Sequence, residues 1–257
     1  MPKTRACCAI LGLVKWKDLE QRFGKRVDLT PLQWAFALLL GEARQQSNAG
    51  RAARSDRGRR GNQAVDLHGA LGELWLYGAA RSLPDSADAA SYMRSQLFCA
   101  AGGRDVTGAD LLFEDAGRPI GIDVKTFDCA KNKSFFAIND NKHSQLAGQC
   151  FAYMGLVCPA WARKACVMFP IPYADVSTWE CSSLRPGGSD SRNLPIGIAM
   201  QRYGCEGYSI EDSRRDVYSK QEIRDLACET GEGSPIAALS RLLPDAAPYL
   251  AKAQAAL

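Results

Sequence analysis

In the stretch GADLLFEDAGRPIGIDVKTFD, residues 108–128, two carboxylates and an amine sit where chains of this composition place apolar residues. Ile120, Ile122, Val124 and Thr126 recur at a period of two and mark one face of a strand. Asp123 and Lys125 share the opposite face with Gly121 and Phe127. A charge inside a sheet costs several kcal/mol unless it is partnered or binds a metal. With Asp110 on the preceding strand, these side chains have the composition that phosphodiester hydrolysis requires. Two carboxylates can hold one or two Mg2+ ions, which polarise a phosphate and acidify a bound water. An adjacent ammonium can orient that water or stabilise charge growing on phosphorus. The plainer alternatives are an edge-strand ion pair between Asp123 and Lys125, and Asp110 as a turn cap after Gly108.

The elements that must position these groups can be read from pattern and punctuation. Thr30-Pro31 starts a helix expected over Pro31 to Gln46. SNAGRAARSDRGRRGNQ, residues 47–63, carries Arg51, Arg54, Arg57, Arg59 and Arg60 with almost nothing apolar, and reads as a mobile loop suited to phosphates. A helix is expected over Asp66 to Arg81, with Leu67, Ala70, Leu71 and Leu74 on its apolar stripe and Gly69 and Gly72 permitting close approach to a sheet. Glu73 stands among these residues, either as a functional acid or as the partner of an arginine. Strands are expected over Ser91–Ala100, Gly108–Glu114 and Pro119–Phe127, the last two joined by the turn Glu114-Asp-Ala-Gly-Arg-Pro119. A fourth falls at Ser134–Ile138, then a helix over Lys142–Met154 and a strand over Lys164–Phe169. Residues 184–195 read as a loop. Helices are expected from Ser219, with its Ser-x-x-Glu222 capping box, and from Ser234.

An acid on one strand, a turn, and then Asp123-Val124-Lys125 resembles the motif of the PD-(D/E)xK nuclease superfamily. The proline before the first aspartate of that motif is alanine here, Ala109. A second acid-x-lysine triplet, Asp140-Asn-Lys142, lies in a turn without an apolar strand and is background. The resemblance spans about residues 66–169. It implies a restriction-endonuclease-like α/β fold, a central mixed sheet flanked on both faces by helices, with an N-terminal helical region and C-terminal helices. It implies Asp110, Asp123 and Glu73 as Mg2+ ligands, the Val124 carbonyl as a further ligand, and Lys125 as the residue that positions water. Gln149-Cys-Phe-Ala-Tyr153 is similar to the Gln-x-x-x-Tyr motif of RecB-like exonucleases. On a helix, Gln149 and Tyr153 would share a face and could support the site, although a structural role suits them better, since a tyrosine fits a half-buried helix face. His143 receives no role.

Composition sets the surroundings. Hydrophobic and charged contents of 46% and 23% suit a globular chain long enough to bury a core. Residues 1–65 hold 13 lysines and arginines against 5 acids, whereas the remainder is mildly acidic. A polyanion bound by the front end follows. The 10 cysteines include no Cys-x-x-Cys pair, and only 2 histidines accompany them, so neither zinc nor an iron–sulfur cluster is expected. Cys150, Cys158 and Cys166 read as small core residues, which suits a reducing cytoplasm. The apolar run Ala6–Val14 has the length of a signal-peptide core but no small-residue cleavage site after it, and reads as a buried element. No membrane span is expected.

The expectation is therefore a Mg2+-dependent deoxyribonuclease, with Mn2+ able to substitute. Endonucleolytic, restriction-type defence is favoured, and two-strand cleavage would call for a homodimer. Residues 1–65 form the basic N-terminal region, 66–180 the nuclease core and 181–257 a C-terminal extension. The alternatives are a nucleic-acid-binding module with an idle site, an RNA-directed nuclease, and an interaction protein whose arginines grip an acidic partner.

Overall fold

A computed structural model describes residues 26–47, 58–82, 87–101, 108–115, 118–130, 135–168, 170–183, 190–203 and 207–257. The apolar run Ala6–Val14 and Arg51, Arg54 and Arg57 lie outside the described residues. The chain begins with strand β1 (Arg26–Asp28), then helices α1 (Pro31–Ser47), α2 (Gly58–Arg81) and α3 (Ala87–Ala101). Strands β2 (Leu111–Asp115), β3 (Arg118–Phe127) and β4 (Phe135–Asn139) lead to the short helix α4 (Asp140–Gln145). Strands β5 (Ala152–Val157), β6 (Lys164–Val167) and β7 (Ile171–Pro172), helix α5 (Tyr173–Ser177) and strands β8 (Glu180–Ser182) and β9 (Ser191–Pro195) follow. Helices α6 (Ile196–Arg202), α7 (Ile210–Arg215), α8 (Lys220–Cys228), α9 (Pro235–Leu242) and α10 (Ala247–Ala256) complete it.

The central sheet runs β1-β6-β5-β3-β2, with β7 also on β5. Among the described residues, β3 and β5 pair in parallel and the other pairs of this sheet are antiparallel. All six residues of β5 are buried, as a central strand covered on both faces requires. Alternation divides the core in two. Ile122, Val124, Met154, Leu156, Ala165 and Val167 face a layer built from the long helices, with Trp34, Leu39, Leu40 and Leu71 at its centre. Tyr153, Val157 and Cys166 face the other way, toward Phe136, Ile138, Leu194 and Met200. That second face is covered by a small antiparallel sheet, β4-β9-β8, together with short helices. The expected mixed sheet with flanking helices is present, but among the described residues the long helices lie on one face.

Several elements differ from the sequence reading. Residues 91–100, expected as a strand, belong to α3. Ala89, Met93 and Leu97 are buried at intervals of four, the helical period, among strong helix formers. The arginine-rich segment is not a loop throughout, because α2 begins at Gly58 and takes in Arg59 and Arg60. Arginine favours helix, and Gln63 Nε2 ties the first turns to Glu42 Oε2 at 3.3 Å. The helix expected over 142–154 stops at Gln145. Gly148 takes a φ of 74°, and the chain turns there into β5. Ser191–Pro195, expected as loop, pairs with β4. Ser219 precedes α8 without a side-chain capping bond, whereas the Ser234 hydroxyl accepts from the Ala237 amide at 3.3 Å. Cys150, Cys158 and Cys166 are buried and unbridged, as expected. Among the described residues, no helix is long and apolar enough to cross a membrane.

Candidate active site

The site is built on the β2–β3 hairpin. Leu111 pairs with Ile122, so Asp110, the residue before β2, stands at the mouth of the hairpin opposite Asp123. It is at the strand's entry rather than its middle. Its Oδ2 accepts the Val124 amide proton at 2.7 Å, which fixes the carboxylate against β3. Val124, expected to offer its carbonyl, thus meets the site through its N–H. Asp123 is 1% exposed, and its Oδ2 is in an ion pair with Lys125 Nζ. The sheet face explains both partners: Asp123 and Lys125 look away from the helical layer that Val124 and Ile122 enter.

Glu73 arrives from α2. A Cβ on Gly72 would lie 2.0 Å from Thr126 Oγ1 and 3.3 Å from Val124 Cγ2, so only glycine lets the helix approach β3 this closely. The next residue, Glu73, is thereby brought into the electrostatic neighbourhood of Asp110 and Lys125. Its carboxylate is gripped by Arg44 of α1. Nη1 donates to Oε1 at 3.3 Å and Nη2 donates to Oε2. The alternative of an arginine-paired acid therefore holds for Glu73 in the geometry described. Arg44 was not foreseen, because nothing in the sequence sets α1 against α2 at that register.

Charge in the cluster is unbalanced. Burial first, then the charges of Asp123 and Glu73, push the Asp110 carboxyl well above the usual carboxylate range; Lys125 and the Val124 amide offset only part of this. Burial pulls the Lys125 ammonium down, but Asp123, Asp110 and Glu73 outweigh it and hold its pKa above the usual value. Lys125 is therefore a cation at neutral pH. Among the described residues, no three His, Cys, Asp or Glu side chains are gathered around one point in a metal-holding group. The register sets Asp110 opposite Asp123, and Glu73 is engaged by Arg44.

The expected Gln149–Tyr153 helix face does not form. Gln149 is exposed in the turn before β5, and its carbonyl is packed on Gly121, where a Cβ would come within 2.2 Å. Tyr153 lies on β5 in register with Asp123 and is fully buried. Its hydroxyl bonds His143 Nδ1 at 2.9 Å, and His143 Nε2 lies 2.9 Å from Ser177 Oγ. Tyr173 stacks on the imidazole with centroids 4.0 Å apart. His143 is thus a buried core residue. Burial and the Arg192 cation hold its pKa below the usual value against the pull of Asp140, so the imidazole is neutral. Cys150 borders the same carboxylates, and burial followed by the Asp123 charge pushes its thiol up to about 12, which leaves it inert. In the second acid-x-lysine triplet, Asp140 is held by Arg192 at 2.7 Å, and Lys142 Nζ reaches the Gly108 carbonyl at 3.4 Å.

No family model, no curated protein and no solved structure matches this chain.

Proposed function

We propose that this chain is a divalent-metal-dependent phosphodiesterase acting on DNA. The observation that carries the reading is the juxtaposition of Asp110 and Asp123 at the hairpin mouth beside Lys125, two acids against one cation. Such a surplus of carboxylate is what a hard divalent cation neutralises, and an all-oxygen donor set suits Mg2+ and, as a substitute, Mn2+. The raised Asp110 carboxyl supports that fit, since it marks a place where negative charge exceeds what the protein itself compensates. Asp110 and Asp123 would hold the ion, with Glu73 as the third carboxylate within reach. Held there, such an ion would supply Lewis acidity toward a phosphate and lower the pKa of a water. Lys125 donates hydrogen bonds to the attacking water or to a non-bridging phosphate oxygen. The Val124 amide keeps Asp110 oriented while substrate exchanges.

The order of acid, hairpin turn and Asp-x-Lys strand, with β5 parallel to β3 and an acid-bearing helix beside them, supports a restriction-endonuclease-like arrangement. DNA is favoured over RNA by nothing finer than that resemblance. The basic charge of residues 1–65 supports a nucleic-acid partner. Endonucleolytic cleavage, a homodimer and a defence role in the cytoplasm belong to the same reading. A second reading, a binding module with an idle site, is favoured by one observation: Asp123 and Glu73 are each already held by a cation of the chain.

Supercoiled plasmid incubated with the purified protein in Mg2+, Mn2+ or EDTA separates the two. Metal-dependent nicking that is lost in folded Asp123→Asn and Lys125→Ala supports the enzyme. Plasmid binding without nicking, indifferent to EDTA, supports the idle module. The same assay on labelled RNA decides the substrate.

A further inference from the structure

Between α1, α2, α8 and the loop of Ala160 and Trp161 lies a cavity of about 580 Å3, within the size range of small-ligand sites. None of the hairpin carboxylates lines it. Its walls are apolar at Leu38 and Leu67, and a few polar groups converge on it. Gln45 of α1 is 8% exposed, and its Nε2 is buried without a hydrogen-bond partner. The Asp66 carboxyl feels that amide, yet the two do not reach hydrogen-bonding geometry. A buried N–H donor without an acceptor is costly and calls for an explanation. One turn earlier on α1, Glu42 is also buried and accepts from Gln46 Nε2 at 3.0 Å and from Gln63 Nε2 at 3.3 Å. An ionised carboxylate has about four acceptor sites, more than these two bonds use. Lys220 and Arg224 of α8 line the same cavity at i and i+4, one helix face. Trp161 lines it with a strained backbone. Its φ of 67° lies in the left-handed region, which a bulky residue enters only when its surroundings enforce it. Those surroundings are in place. The Tyr218 amide donates to the Trp161 carbonyl at 2.8 Å, and the Trp34 ring lies 5.3 Å away, itself anchored on the Ala162 carbonyl. Strain held at a cavity wall is a feature of ligand clamps.

We propose that this cavity binds a nucleoside monophosphate, with the base against Trp161, its polar edge on Gln45 and Glu42, and its phosphate on Lys220 and Arg224. A nucleobase edge carries both an acceptor and a donor, which the Gln45 amide and the Glu42 carboxylate can meet together. Its flat faces suit an indole, through stacking that is tolerant of base identity. A phosphate monoester carries about two negative charges at neutral pH, and two cations on one helix face offset them. A purely apolar ligand would leave Gln45 unpaired and gain nothing from α8. An organic cation would meet Lys220 and Arg224 as like charges. The site needs no metal and stands whether or not the hairpin binds one.

The test is calorimetric titration of the full chain with AMP and with GMP in EDTA, which silences any divalent-cation site. Saturable binding of either nucleotide is expected, with the nucleoside and inorganic phosphate each weaker by about tenfold or more. Lys220→Ala combined with Arg224→Gln is expected to lower nucleotide affinity about tenfold or more, and to leave the nucleoside within about twofold. Gln45→Met keeps the length of the side chain and removes the unpaired donor, so it is expected to weaken nucleotide and nucleoside alike. Should Gln45→Met not fold, the α8 double variant decides, since its changes lie outside the core. No heat of binding up to about 5 mM nucleotide overturns the proposal. So does binding that the variants leave unchanged, which places the nucleotide elsewhere on the molecule. Inorganic phosphate bound as tightly as AMP and GMP would reduce the site to an anion patch. Uptake of a single-stranded oligonucleotide but of neither mononucleotide would make the cavity part of a strand-binding surface. Either result sinks the proposal.

Discussion

At the scale of single residues, Asp110 is the group whose protonation the site controls. Its carboxyl is raised by burial and by Asp123 and Glu73, so in the metal-free protein it keeps its proton above the ordinary carboxylate range. A divalent cation bound there, as proposed, would have to displace that proton. Apparent Mg2+ affinity should therefore climb as pH rises toward neutrality and level off once Asp110 has ionised. Calorimetric titrations in two buffers of different ionisation enthalpy should report proton release at the lower pH and little at the higher, with the difference abolished in Asp110→Asn. The sign for stability is opposite. The unfolded chain loses this proton at lower pH than the folded one, so the metal-free protein should lose stability as pH rises through Asp110's folded value. Added Mg2+ should reverse that loss, and melting curves at two pH values would show it. Asp110, Asp123, Lys125 and Glu73 were legible because their types clash with an apolar setting. Arg44 and His143 were not, since both acquire meaning only from partners distant in sequence: Glu73 for one, Tyr153, Tyr173 and Ser177 for the other.

At the scale of elements, the seam between α2 and β3 decides whether Glu73 is near the hairpin at all. Gly72 is the contact point, and a methyl there would strike Thr126 Oγ1 first and Val124 Cγ2 next. Gly72→Ala should cost about 1–3 kcal/mol, the usual penalty of overpacking. It should also tilt Glu73 away from Asp110. Urea unfolding measures the first effect. For the second, the expected result is weaker Mn2+ binding in Gly72→Ala than in Gly78→Ala, a control whose methyl meets nothing within 4 Å. Equal behaviour of the two variants would remove the seam from the account. The hairpin was readable from alternation and turn chemistry, and α1 from its Thr-Pro start. The failures share a cause. Residues 91–100 and 142–154 are short, mixed apolar stretches in which the period of two and the period of 3.6 fit almost equally well. Tertiary position settled them: α3 lies against β2 and α2, whereas β5 is needed between β3 and β6. The Gln149–Tyr153 match failed with the second of these, because a motif defined on a helix has no meaning across a turn and a strand.

At the scale of the whole molecule, α2 links the basic front of the chain to the hairpin. It starts with Arg59 and Arg60 and carries Glu73 further along the same helix. A rise of 1.5 Å per residue puts about 20 Å of helix between Arg60 and Glu73. Along a DNA strand, with about 3.4 Å per phosphate, that is a reach of about six nucleotides. If the chain binds DNA with Asp110 and Asp123 at the scissile phosphate and with the duplex running along α2, the first turn of α2 falls roughly half a helical turn away. Neutralising those phosphates contributes affinity without reading sequence. Replacing Arg59 and Arg60 with alanine should thus lower the slope of log K against log salt by about 1.8, at about 0.9 per lost contact. Asp123→Asn should leave the slope as it is, because it removes no cation. The same geometry sets a length requirement on substrate. Duplexes extending fewer than about six base pairs past the cut on the α2 side should be bound by the native chain no better than by the double-alanine variant. A native salt slope unaffected by the two substitutions, or an affinity indifferent to duplex length on that side, would detach the basic region from the hairpin site and move the polyanion contact elsewhere on the molecule.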